Sequence, residues 1–154
     1  MLIFKTLHIL SMFTMVTAFA GSNFFYAFAI SQRDVRALAW VQRAVRRGLF
    51  AVTGLVALVA GIIFGLLTAA TGGIDFFKPW LVVAYVLVAL FLVNSALLGE
   101  RLVRLADKAI EADAGKRASE EVVREMAPRT AISFFAINVA IFAAIIADMV
   151  LKPF

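Results

Sequence analysis

Four apolar stretches, each long enough to cross a bilayer, make up most of this chain. They run over 2–30, 49–70, 79–99 and 130–151, and the only charged side chains within them are Lys5 and Asp148. About 20 predominantly apolar residues span the hydrocarbon core of a membrane when coiled as a helix. A helix also satisfies its own backbone polar groups, which lipid cannot do. The pattern predicts an all-α membrane protein: one transmembrane domain over 1–154, built as a four-transmembrane-helix bundle. Hydrophobic residues make up 64% of the chain, more than a water-soluble fold of 154 residues can hide.

The basic residues predict orientation. The loop after the first span carries Arg33, Arg36, Arg43, Arg46 and Arg47, and the loop after the third carries Arg101, Arg104, Lys108, Lys116, Arg117, Arg124 and Arg129. Twelve of the fifteen basic residues therefore fall in these two loops, while Lys5, Lys78 and Lys152 fall at the other face. Lys and Arg accumulate in short cytoplasmic loops. Both termini are expected outside, both basic loops in the cytoplasm, and the whole in a bacterial inner membrane. The net charge of +5 is then a topology signal with attraction for anionic headgroups, and nucleic acid is not an expected partner. Ala18-Phe19-Ala20 resembles a signal-peptidase site, but the apolar run continues to Ile30 and reads as a retained first helix.

The loops have structure of their own. Asp34 is placed to cap a short interfacial helix with Val35, Leu38, Val41 and Val45 on one side and Trp40 at headgroup depth. Gly72-Gly73 makes a tight turn, and Pro79 suits the first position of the third helix. That helix is expected to continue into the cytoplasm to about residue 114, where Gly115 breaks it. Ser119 is placed to cap a second short helix with Glu120 and Glu121 in its first turn.

Polar residues inside the spans call for partners. Asn23, Asn94 and Asn138 each lie five to ten residues from the cytoplasmic ends of their spans, so they share one layer and are expected to hydrogen-bond between helices. Lys5, His8, Thr68, Thr71, Asp75, Lys78 and Asp148 form a second layer near the outer face. Within it Lys5, Asp75, Lys78 and Asp148 make an outer charge cluster, and Asp148 is expected to pair with Lys5 or His8. Gly61 and Gly65 form a GxxxG groove, extended by Gly54, for close helix packing within the bundle or between copies.

His8 is the only histidine, and the chain has no cysteine. That excludes thiolate metal sites, iron–sulfur clusters and CxxCH haem attachment. His8, Met12 and Met15 recur at i, i+4 and i+7 on one helix face, an imidazole and two thioethers suited to copper or to haem b.

The opening Phe4-Lys5-Thr6-Leu7-His8-Ile9-Leu10, the glycine-rich second span and Pro79-Trp80 together resemble a family of uncharacterised bacterial integral membrane proteins. That family is similar in turn to the copper-resistance D proteins and the HemJ-type protoporphyrinogen oxidases. The resemblance implies that His8 is the haem or metal position. It departs from the HemJ-type pattern in the third span, where Asn94 stands and no lysine is found.

No residue set reads as catalytic: there are no paired acids, nucleophile–base sets or phosphate loops. The first functional expectation is a non-catalytic accessory or scaffold subunit, in contact with lipid and with other membrane subunits or copies of itself. The alternatives are a haem b- or copper-linked redox protein using His8 and a small transporter.

Overall fold

The computed structural model describes residues 2–48 and 50–151. Among the described residues six helices follow one another: α1 Leu2–Ser31, α2 Val35–Arg46, α3 Ala51–Thr71, α4 Pro79–Asp113, α5 Ser119–Glu125 and α6 Pro128–Leu151. Four of them, α1, α3, α4 and α6, are long and apolar enough to cross a membrane. Leu49, the expected first residue of the second span, and Lys152 lie outside the described residues.

Four crossings return the chain to its starting side, and Lys5 and Val150 line the same cavity. That side is the terminal end of the bundle; the opposite side, with α2 and α5, is the basic end. Large apolar side chains cover the outside of the spans, among them Phe13 at 70% exposed and Leu97 at 67%. Lipid tails are their solvent. Hydroxyls in the spans turn back onto their own helices: Thr14 donates to the Leu10 carbonyl, Thr17 to Phe13 and Thr68 to Phe64. These three hydroxyls are thereby satisfied without a partner from outside their helices.

The spans pack as an arc, with α3 on α1, α1 on α6, and α6 on α4. α3 and α4 share no comparable interface, although only the turn at 72–78 separates them. Gly73 takes the left-handed backbone (φ 63°) that lets this turn reverse the chain. At mid-depth Met15, Ala57, Leu58, Phe91, Phe142 and Ile145 form one cluster. Its aromatic spine is the Phe19–Phe91 pair at 5.4 Å and the Phe91–Phe142 pair at 4.8 Å, joining α1, α4 and α6.

At 35 residues α4 is about 50 Å long, well beyond a hydrocarbon core of about 30 Å. Its final turns, from Glu100 to Asp113, project from the basic end and carry α2 and α5. Asp34 caps α2, accepting from the Ala37 amide at 2.9 Å. Val35, Leu38 and Val41 face inward from α2, while Trp40 is 58% exposed on the other side. Leu38, Ala39, Ala106, Ala109 and Val122 are fully buried in one cluster that also takes in Tyr26, Ile30 and Met126. Burying a side chain such as Leu38 contributes about 1.5–3 kcal/mol.

Ion pairs surround this cluster. Arg43 pairs with Asp113, Arg46 with Asp107 at 2.8 Å, and Lys108 with Glu125 at 2.6 Å. A hydrogen bond from Arg117 to Glu111 raises the guanidinium pKa further above its ordinary range. Exposed pairs contribute at most about 1 kcal/mol each, so the apolar cluster dominates. Gly115 ends the excursion with a φ of 72°. Ser119 is not the cap of α5: it is the first helical residue, Ala118 takes the N-cap position, and no side chain bonds the free amides there. The adjacent acids Glu120 and Glu121 compensate by facing the positive end of the helix dipole.

Candidate functional site: a histidine-lined cavity

α1 and α3 form the most extensive helix interface. Its basis is the small-residue stripe of α3. A Cβ on Gly54 would sit 3.1 Å from the Phe19 ring, one on Gly61 2.7 Å from the Met12 sulfur, and one on Gly65 3.0 Å from the His8 imidazole. The three glycines therefore receive three turns of α1. Within the monomer this face is already occupied.

Nearer the terminal end, α3 and α4 stand apart over α1 and α6 and leave a cavity of about 630 Å³. Its space comes from residues without bulk: Gly61, Gly65 and Ala69 on α3 and Ala84 on α4 all line it. The remaining walls are mostly apolar, and Lys5, His8, Thr68, Trp80 and Tyr85 supply the polar groups. Cavities of 300–1,000 Å³ with apolar walls and a few polar groups are typical of small-molecule and cofactor sites.

His8 is held in one orientation. Its Nδ1 lies 2.7 Å from the Gly61 carbonyl oxygen. A carbonyl only accepts, so Nδ1 carries the proton and donates. The neutral ring then has its lone pair on Nε2, which has no protein partner among the described residues. A histidine that coordinates a metal usually donates its other ring nitrogen in this way, which fixes the tautomer and raises ligand basicity.

The fold brings His8 and Met12 together on the cavity wall and adds Met149 from α6. Met15 is not among the lining residues; at 2% exposed it packs in the mid-depth cluster. The expected pairing of Asp148 with Lys5 or His8 does not form. His8 is committed to Gly61, and Lys5 is exposed near the start of α1, where its stem can carry the ammonium toward headgroups. Asp148 is 8% exposed, and its Oδ2 has no partner among the described residues. Asp75 accepts from the Phe77 amide at 2.9 Å and so shapes the turn, while Lys78 precedes α4 as its N-cap residue.

In the asparagine layer Asn94 Nδ2 donates to Asn138 Oδ1 at 2.9 Å, linking α4 to α6. Asn138 is fully buried and its own Nδ2 has no partner among the described residues. Asn23 bonds to neither.

Sequence reasoning overlooked a polar chain at the basic end. Tyr26 donates to Gln42 Oε1, Gln42 Nε2 donates to Asp107 Oδ1, and the same carboxylate pairs with Arg46. Gln42 is 1% exposed. The signal was present: Gln42 follows Val41 on the inward face of α2, and a carboxamide there demands a buried partner.

Arrangement and composition together define an integral membrane helical bundle with a histidine-lined cavity. The chain belongs to the family described as predicted integral membrane protein (DUF2269), which matches residues 2–153. No curated protein and no solved structure matches it.

Proposed function

We propose that this protein binds haem b in the terminal-end cavity, where His8 Nε2 would hold the iron. The observation that carries this reading is the hydrogen bond between His8 Nδ1 and the Gly61 carbonyl, which leaves the second imidazole nitrogen available beside about 630 Å³ of largely apolar space. The donor set fits a tetrapyrrole better than a bare copper ion. A tetrapyrrole brings four nitrogens of its own and needs one or two from the protein. With one histidine and no cysteine, a copper site would depend on thioethers for most of its ligands. Met12 and Met149 are the other soft donors at the cavity, and Lys5 at its rim is suited to a carboxylate substituent.

A haem bound there would supply one-electron transfer. The chain's own part is to hold the His8 ring against α3, to keep water away with apolar walls, and to present one imidazole nitrogen. Such a bundle would act as an electron-carrying accessory subunit of a larger membrane assembly. The basic loops support a cytoplasmic basic end in a bacterial inner membrane; reporters fused at both chain ends should then be active only outside.

The direct test is the visible spectrum of protein expressed with haem supply and purified in mild detergent. A Soret band is expected, absent in His8→Ala and shifted in Gly65→Ala, whose new methyl would press on the ring at 3.0 Å. A folded wild-type bundle that takes up no haem, or a His8→Ala variant with the same band, would overturn the assignment.

A further inference from the structure

A second cavity, of about 380 Å³, lies at the basic end between α4 and the segment leading into α6. Its polar wall is Arg101, Arg104, Lys108 and Glu125, and its floor is apolar, with Ile30, Leu102 and Leu105. The three cations recur at i, i+3 and i+7 along α4, so they form one stripe. Their partners differ. Lys108 holds both oxygens of Glu125 at 2.6 Å, which neutralises the single acid of the groove. Arg104 bonds Glu100 at 2.9 Å, with both side chains about two-thirds exposed, and such a pair exchanges readily for another anion. Arg101 is exposed and has no partner among the described residues.

Depth matters as much as charge. The uncharged run of α4 ends at Gly99, and that of α6 begins after Arg129. The groove therefore opens at the level where the hydrocarbon core gives way to headgroups, with cationic and apolar side chains interleaved along α4.

We infer that this groove is a binding site for an anionic phospholipid, its phosphodiester held by Arg101 with Arg104, and its glycerol ester region against the apolar side chains Ile30, Leu102 and Leu105. A zwitterionic phospholipid offers the same phosphate but cancels its charge, and a soluble phosphate makes no use of the apolar floor. The site is independent of His8 and of any occupant of the terminal-end cavity.

The test is native mass spectrometry of the purified, delipidated full chain titrated with phosphatidylglycerol and with phosphatidylcholine of matched chain length. One phosphatidylglycerol should bind in preference. Arg101→Gln should weaken that adduct about fivefold, as expected for one surface cation, and leave the phosphatidylcholine adduct unchanged. Arg101→Gln is an exposed change and should leave the melting curve intact. The control is the Arg36→Gln, Arg47→Gln double variant, which removes two unpartnered, exposed cations from α2 and its C-cap without touching the groove. It should leave the adduct in place. Equal binding of the two lipids, equal loss in the control, or full displacement by inorganic phosphate at the lipid's own concentration would each overturn the site.

Discussion

The two ends of this bundle are held together by different means. At the basic end, α2, α5 and the projecting part of α4 enclose a cluster whose members include five fully buried side chains, with ion pairs around its edge. Water lies beyond it, so the hydrophobic effect drives its closure. At the terminal end the helices stand in lipid, where burying leucine gains nothing. Cohesion there comes from close approach, α1 seated on the glycines of α3, and α3 and α4 remain apart with a cavity between them. A segment in lipid can keep an open pocket at small cost, because its walls are solvated whether or not they touch.

This contrast can be attacked with three substitutions, in falling order of effect. Leu38→Ala should be the most damaging. It empties a fully buried position of the basic-end cluster, at about 2–5 kcal/mol. Hydrogen exchange should rise across α2 and the outer turns of α4 and stay unchanged in α3; a rise spread evenly over all six helices would erase the distinction between the two ends. Gly61→Leu should follow, at about 1–3 kcal/mol, because the added bulk meets Met12 on the facing helix. Its exchange signature should appear in the first half of α1 and in α3. If melting were unchanged, close approach would not be what holds these spans together. Asn94→Ala should be the mildest, about 0.6 kcal/mol, the usual worth of one interhelical hydrogen bond in a membrane bundle. A loss several times larger, read by thermal melting in the same detergent, would give the asparagine pair a role beyond packing.

Much of the architecture was legible in the sequence because lipid imposes length. The spans, Pro79 opening α4, Gly115 ending its excursion and Asp34 capping α2 all follow from local rules that need no knowledge of neighbours. What was not legible depended on neighbours. The pattern of α1 places His8, Met12 and Met15 on one face, yet the fold divides that face between the cavity and the core. Asp148 looked like a partner for His8 because both lie near the terminal end; the Gly61 carbonyl, closer and invisible to any side-chain pattern, takes the ring instead. Ser119 matched a cap by type, but the helix begins one residue earlier than a cap there requires. The cavity itself could not be foreseen. It depends on which residues of α3 and α4 face each other, and only the packing decides that.

The unbroken length of α4 links the two ends. Trp80 and Tyr85 near its start line the terminal-end cavity, and Asp107, Lys108 and Asp113 near its finish anchor the basic-end helices. No proline interrupts it after its first residue. A rod without a joint tilts as a whole. Whatever wedges α3 and α4 further apart must also swing the platform at the far side of the bilayer, and a subunit docked there would feel the occupancy of a pocket it never touches.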